Sequence, residues 1–404
     1  MKAFMLCAGK STRTHPLTVD LPKPLLKVMN KTILERNLDA LQDLVKEVVL
    51  VVGFRKELIR RAARDYRAKN RGMRISTVEQ KQAKGTGDAV AAFSRKAKAK
   101  EGFLLLMGDN IYTRQDLSRL LKKKDAILSQ KVEHPENFGV LLTRMTKGKR
   151  LLKGIQEKPK RPKGRLINAG AYVFQQGIFD HLKKVRRSPR GEYEFTDAIT
   201  AYAKETPVEV VEAKEVQHIS HPWDLLTINE LLIRRMKQSE IRGKVEKHAV
   251  IKGPVHIGKG SIIRGGVHIE GPVVIGEHCS IGPNCYLRAG TTIGDHCKVG
   301  NATEIKNSIF FDHVSAGHLS YVGDSVIGAH TNLGAGTITA NLRHDDQGIR
   351  SMVRGKLADT HRRKLGAIIG DHVHTGIHTS ILPGRKIWPG KGTRPGEVVD
   401  KDVV

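Results

Sequence analysis

From residue 251 onward the chain sets a bulky apolar residue at every sixth position. Ile251, Ile257, Ile263, Ile269, Ile275, Ile281, Leu287, Ile293, Val299, Ile305 and Phe311 hold this period without a break. Glycine follows at 258, 276, 282, 294 and 300, and a compact residue recurs four positions on, as at Ser261, Cys279, Thr291 and Thr303. The pattern resumes at Ile327 and Leu333, yields to a long insertion, and returns at Ile369, Ile381 and Ile387. A hexapeptide period is the sequence mark of a parallel β-helix. Each six-residue rung makes one flat side, and three rungs close a triangular coil. The aliphatic residue fills the interior, and glycine and small residues permit the corners. Cys279 and Cys297 lie one full coil apart. They are expected to stack at about the strand spacing of 4.8 Å, as small buried corner residues rather than a metal or redox pair.

Residues 1–222 follow another rule. Short apolar segments at 2–7, 46–52, 73–79, 103–107, 138–143, 155–157, 169–174 and 208–213 alternate with helical spacing at 31–44, 54–68, 86–98, 176–183 and 194–204. That order predicts an α/β domain, Rossmann-like, with a mixed, mostly parallel sheet and helices on both faces. Residues 223–243 read as a connector helix, 244–390 as the β-helix and 391–404 as a tail. A chain of 404 residues is expected to hold two or three domains. Four cysteines imply no disulfide framework. No apolar run reaches the roughly 18–20 residues of a membrane span, and the first apolar residues are too few for a signal peptide. A cytoplasmic location is the expectation.

The formal net charge is +29. Residues 1–250 hold 52 basic and 28 acidic residues, and residues 251–404 hold 18 and 13. Aromatic residues make up only 5%, and the known nucleic-acid-binding signatures are missing. The basic run at 55–74 also has helical spacing, so its charges read mostly as a solvated face. The excess charge is therefore expected to steer anionic small substrates, with no nucleic acid and no membrane as partner.

The chain opens with a strand, then Cys7-Ala8-Gly9-Lys10-Ser11-Thr12-Arg13, then Lys23 within Leu21-Pro22-Lys23-Pro24-Leu25. A glycine-containing loop after a first strand can turn backbone N–H groups toward phosphates. Walker A spacing is not found. The whole run resembles the signature of the sugar-phosphate nucleotidylyltransferases, with Ser11 where that signature has a second glycine. Further segments follow in the family's order. Gln80 with Gly85 and Thr86 resembles the base- and sugar-reading element. Gly108-Asp109 follows a strand, at the end where open α/β sheets bind ligands. Gly139, Glu157-Lys158 and Asn168 resemble the sugar pocket, and Asp224 supplies a second carboxylate. The resemblance implies that Gly9, Ser11, Thr12, Arg13 and Lys23 meet phosphates, with Arg13 and Lys23 catalytic, and that Asp109 and Asp224 hold Mg²⁺, which favours oxygen ligands.

Residues 300–345 resemble the acetyltransferase half of the bifunctional N-acetylglucosamine-1-phosphate uridylyltransferase/glucosamine-1-phosphate acetyltransferases. By that resemblance His318 is the base that takes a proton from the attacking amine, a role suited to imidazole. Lys306 and Tyr321 contact the sugar phosphate, Asn341 lies near the amine, and Glu304 orients the set. After Asn341 the chain departs from the bacterial pattern into a basic insertion containing Arg350, Arg362, Arg363 and Lys364. Its form looks like the archaeal members. Those cations either meet coenzyme A phosphates or solvate the loop. The resemblance implies a left-handed β-helix, a homotrimer, and UTP or dTTP, a hexose or hexosamine 1-phosphate and acetyl-CoA as substrates. A second reading is a glucose-1-phosphate thymidylyl- or uridylyltransferase whose β-helix serves only assembly. A third is a regulatory subunit of the same two-domain plan, against which the presence of Arg13, Lys23, Asp109 and Asp224 argues.

Overall fold

The structure is a computed structural model, described over residues 1–70, 72–94, 97 and 102–404. The chain divides into two compact units. The first comprises Met1–Lys10, Pro22–Leu25 and Ile33–His218; the second comprises Ser11–Leu21, Leu26–Thr32 and Ile219–Val404.

The first unit runs β1 (Lys2–Cys7), α1 (Ile33–Leu41), β2 (Glu47–Val52), α2 (Lys56–Lys69), β3 (Arg74–Glu79), α3 (Thr86–Phe93), β4 (Phe103–Met107), β5 (Asn110–Tyr112) and α4 (Arg114–Leu121). It continues with β6 (Ala126–Lys131), β7 (Gly139–Thr146), β8 (Lys149–Glu157), β9 (Leu166–Phe174), α5 (Ile178–Leu182), α6 (Phe195–Glu205), β10 (Glu209–Glu212) and β11 (Val216–His218). Nine strands form one mixed sheet in the order β3-β2-β1-β4-β9-β6-β10-β8-β7. The first four are parallel, and β9 joins β4 and β6 antiparallel. Alternation along β1 serves two cores. Ala3, Met5 and Cys7 enter one with Leu34 and Leu38, while Phe4 and Leu6 enter the other with Phe93 and Phe103. This two-sided burial is what a parallel sheet covered by helices requires.

The far half of the sheet closes on itself. β9 pairs with β6, β6 with β10, β10 with β8, β8 with β7, and β7 again with β9 through Val140 and Ile167. The helical spacing expected over 86–98 is helix through Phe93; residues 95, 96 and 98 lie outside the described residues. Sequence spacing missed α4, β5, β6 and β11. α4 starts on a Thr113 cap that accepts from the Asp116 amide, and the buried Asp116 carboxylate receives the amides of Lys214 and Glu215. That anchor is tertiary and leaves no periodic trace.

The second unit contains α7 (Asp224–Ile233) and three parallel sheets of eight, six and eight strands. The aliphatic hexads stack at one-coil intervals, as Ile257 on Ile275 and Ile263 on Ile281, and form one interior core. This is the parallel β-helix that the period predicts. One detail differs from the sequence expectation. Ile293 pairs with Phe310, Val299 with Ala316 and Ile305 with Val322, so this coil is 17 residues rather than 18. Phe310, not Phe311, takes the interior place, and the phase shifts one residue earlier than the hexad reading had it. The long insertion contains an antiparallel hairpin, Arg350–Val353 with Lys356–Asp359. Register survives it, because Ile327 pairs with Ile369 and Thr339 with Ile381. Val398–Val399 pairs with Ser380–Ile381, and Val403 bridges Ile387. The thiols of Cys279 and Cys297 are free and buried, donating to the carbonyls of Gly294 and Phe311 at 3.0 and 3.1 Å.

Candidate active sites

In the first unit the expected residues gather at the strand ends. Lys23, 3% exposed, places Nζ 2.9 Å from Asp109 Oδ2, and the Asp109 side chain is 35% exposed. Gly108 lets this turn form, for its amide donates to Leu6 O, and a Cβ there would stand 2.6 Å from that oxygen and 2.7 Å from Cys7 Sγ. Burial, with Asp109 behind it, pushes the Cys7 thiol well above its ordinary range, so Cys7 is an inert floor. Gln80 Nε2 donates to Asp88 Oδ2 and Gly85 O. Gly85 has φ 111°, and a side chain there would strike Tyr193 O at 2.6 Å. Thr86 opens α3, and its hydroxyl accepts from the Phe195 amide. Gly9 is an exposed residue after β1.

The sugar-pocket residues also converge. A Cβ on Gly139 would lie 3.2 Å from Glu157 Oε2 and 3.6 Å from Asn168 Cβ. Asn168 donates to Tyr172 Oη and accepts from the Gly170 amide, which fixes its amide group. Lys158 sits at φ 46°, with its N–H donating to Phe138 O.

The rest of the signature loop belongs to the second unit. Ser11 is left-handed at φ 51°, and its carbonyl accepts from the hydroxyls of the buried Thr14 and Thr18 at 2.7 and 2.9 Å. That clamp sets the one-turn helix Thr12–Thr14 that carries Arg13. Asp224 Oδ2 accepts the amides of Ser220 and His221 at 2.7 and 2.8 Å, so this carboxylate also caps its own turn. Asp109 fits a magnesium ligand, being a partly exposed carboxylate at a strand end, and Mg²⁺ uses one or two such groups beside phosphates and waters. Among the described residues no three His, Cys, Asp or Glu side chains form a group that could hold a metal ion.

On the coil, Glu304, Tyr321 and Ile338 occupy matching places on successive strands of one flat side. Asn341 Nδ2 donates to Tyr321 Oη at 3.2 Å and to the buried Asp324 at 2.5 Å. Asn307 Nδ2 also donates to Asp324, and Arg288 holds Glu304 at 2.9 Å. Gly323 makes room, for a Cβ there would lie 2.5 Å from Tyr321 Oη and 2.7 Å from Asn341 Nδ2. Lys306 lines a hollow of about 580 Å³ with Arg234, Arg363 and Lys364. Burial, with Lys364 nearby, lowers its pKa despite the opposing pull of Asp324. His318 ends the strand Ser315–His318 on the neighbouring flat side and is exposed. It is hydrogen-bonded through its side chain to none of Glu304, Lys306, Tyr321 or Asn341. Of the insertion's cations, Arg362 is committed to Glu230 at 2.6 Å and to Thr227.

Residues 2–223 match the family model described as nucleotidyl transferase, and residues 269–394 match the GMPPB C-terminal domain. Over 404 residues the chain is 39% identical to the "Bifunctional protein GlmU" of Methanocaldococcus jannaschii, covering all of this chain and 96% of the relative. It is 38% identical over 409 residues to the "Bifunctional sugar-1-phosphate nucleotidylyltransferase/acetyltransferase" of Sulfurisphaera tokodaii, covering all of this chain and 98% of that one. The chain belongs to this bifunctional family. A UDP-glucose pyrophosphorylase complexed with UDP-glucose shares the fold over 58% of this chain and 98% of its own, at 20% identity and a TM-score of 0.53.

Within this family member, several residues that no motif announced contact the candidate site residues or lie beside them. Arg190 bridges Glu157 at 3.4 Å and the buried Glu194 at 2.8 Å. His218 on β11 faces Asp109 electrostatically, but burial wins and lowers its pKa to about 4, so it stays neutral. Its Nε2 meets Gln130 Oε1 at 2.9 Å. Asp324 and Gly323 hold the coil site together. Arg354, at the turn of the inserted hairpin, donates to Thr12 Oγ1 at 2.8 Å. Sequence spacing gave no signal for His218, Asp324 or Arg354, whose partners Gln130, Asn341 and Thr12 lie far along the chain.

Proposed function

We propose that the protein makes a UDP-N-acetylhexosamine in two steps. The coil transfers acetyl from acetyl-CoA to the amine of glucosamine 1-phosphate, and the residues of the nucleotidyl-transferase signature join the product to the uridylyl group of UTP. The observation that carries this reading is the joined polar set on the coil. A coil used only for assembly has no need of Asn307 and Asn341 both donating to one buried carboxylate, Asp324, with Asn341 also donating to Tyr321 Oη.

In the first step the amine nitrogen attacks the thioester carbon, and the thiol of coenzyme A leaves. His318, exposed at its strand end, accepts the amine proton, and an imidazole suits that task near neutral pH. Lys306 and Tyr321 hold the sugar phosphate. In the second step a phosphate oxygen of the sugar 1-phosphate attacks the α-phosphorus of UTP, and the bond to pyrophosphate breaks. Two anions must meet, so the work is positioning and charge neutralisation. Lys23 and Arg13 supply fixed positive charge, Gln80 reads the base, and Glu157 and Asn168 orient the sugar. Asp109 and Asp224 would hold Mg²⁺, which would supply further charge neutralisation to the phosphates. The enzyme acts as a homotrimer in the cytoplasm; among the described residues no helix is long and apolar enough to cross a membrane.

The test is release of free thiol from acetyl-CoA with glucosamine 1-phosphate, without nucleotide. Turnover that disappears in His318→Ala is expected. Inertness toward both glucosamine and galactosamine 1-phosphate would reduce the coil to an assembly module. Asp109→Ala is expected to abolish nucleotidyl transfer and spare acetyl transfer, and His318→Ala the reverse. Loss of both activities in either folded variant would refute two independent sites.

A further inference from the structure

The ring formed by β9, β6, β10, β8 and β7 encloses the mouth of an open hollow of about 640 Å³. Every strand of the ring contributes to it. Lys131, Arg150, Lys153, Lys163 and Arg165 face Glu212 as the one carboxylate in its lining. Among the described residues none of these five cations has an ion pair or a side-chain hydrogen bond. Their neighbours do not share this state. Glu209, on the same strand as Glu212, is held by Lys123 at 2.7 Å and by Lys149 at 3.0 Å. Charge in this region is thus neutralised beside the hollow and left uncompensated within it.

The backbone is shaped for that outcome. Arg150 and Lys153 are three apart on β8, and in a regular strand such side chains point to opposite faces. Register shifts between Leu152 and Gly154, which leaves Lys153 without a partner opposite. A bulge of this kind re-aims a side chain and is favoured at barrel rims. Here it brings Lys153 into the same hollow as Arg150. Lys163 and Arg165 come from the loop between β8 and β9. Leu142 and Leu166, both partly exposed, give the hollow an apolar floor.

We propose that this hollow binds an organic anion carrying two or more phosphates, of nucleotide size. Concave walls of one sign concentrate field and draw multivalent anions. Ligand pockets typically span about 300–1,000 Å³ with an apolar lining and a few polar anchors. The apolar floor takes the organic part, and the five cations take the phosphates. The site is separate from the Lys23–Asp109 pair and does not depend on the reactions assigned above.

The experiment is site-resolved labelling of lysines in the full-length protein with an amine-acetylating reagent, read by peptide mass spectrometry. ATP at 1 mM, about the upper range of ordinary ligand affinities, is expected to slow labelling of Lys131, Lys153 and Lys163 at least 3-fold. Lys69, an exposed lysine on α2, is expected to be unaffected. Tripolyphosphate at the same concentration is expected to protect less, because it leaves the floor bare. In Lys153→Glu/Arg165→Glu the protection of Lys131 and Lys163 disappears, while nucleotidyl and acetyl transfer keep their basal rates. Protection matched by sulfate at equal ionic strength, or equal for Lys69, overturns the proposal. So does protection by tripolyphosphate equal to that by ATP. Protection by random-sequence DNA but not by ATP assigns the surface to nucleic acid instead.

Discussion

Gly323 shows how much a single hydrogen atom decides. Adding a methyl at this position drives it to within 2.5 Å of Tyr321 Oη and 2.7 Å of Asn341 Nδ2. Both are ends of side chains, so the fold can give way, but only by separating the pair. Gly323→Ala is expected to leave thermal unfolding nearly unchanged and to raise the KM for the sugar phosphate in acetyl transfer. An unaltered KM would mean the pair is ornamental. Lys23 has the opposite sensitivity. It is buried to 3% exposure and meets Asp109 at 2.9 Å. Removing one preorganised charge from a reacting anion costs roughly 10²–10³ in rate. Lys23→Met is expected to slow uridylyl transfer by about that factor, measured as pyrophosphate release, with thiol release from acetyl-CoA intact.

At the scale of elements, the coil carries a column of imidazoles. His278, His296, His313, His330 and His372 stack with centroids 5.1, 4.8, 4.5 and 4.8 Å apart. All five are left-handed, with φ between 54° and 61°, a region uncommon for residues other than glycine, though histidine is enriched there. Partial burial, then His313 and His372, lower the His330 pKa from its ordinary 6.5, with Asp312 opposing. The unfolded chain therefore takes up this proton first, and stability declines as pH falls below about 6.5 toward the folded value. Melting followed by circular dichroism is expected to show a Tm that drops from pH 7.5 to 5.5, with a shallower drop in His330→Asn. A Tm independent of pH in this window would show that the column carries no linkage. The hexad period made this coil legible because every interior residue repeats one local environment. The hexad puts Phe311 where the structure puts Phe310, because both are bulky and both buried, at 4% and 1% exposure. Only the register, not composition, separates them. Strand β6 escaped notice for a different reason. Its few apolar residues are buried by β9 and β10, which come from later in the chain. In the candidate sites, Lys23, Asp109, Tyr321 and Asn341 stand in motifs, whereas Arg190, Asp324 and His218 make contacts that only folding creates.

For the whole molecule, the net charge of +29 is concentrated in residues 1–250. Both reactions take anions, and a field of this sign raises the rate at which they arrive. Screening shortens its reach to about 8 Å at physiological ionic strength. kcat/KM for uridylyl transfer is expected to fall as sodium chloride rises from roughly 20 to 200 mM, with kcat changing little. A kcat that falls in parallel would place the salt effect in chemistry rather than encounter. The insertion in the coil has a different sort of consequence. Ile327 meets Ile369 and Thr339 meets Ile381 as if nothing intervened, so the rungs close over the hairpin at 350–359 without loss of register. Such a scaffold separates inheritance of the frame from inheritance of its excursions. Lineages can lengthen, recharge or exchange that one segment, and so retune what the coil accepts, while the stacked rungs on either side descend unaltered.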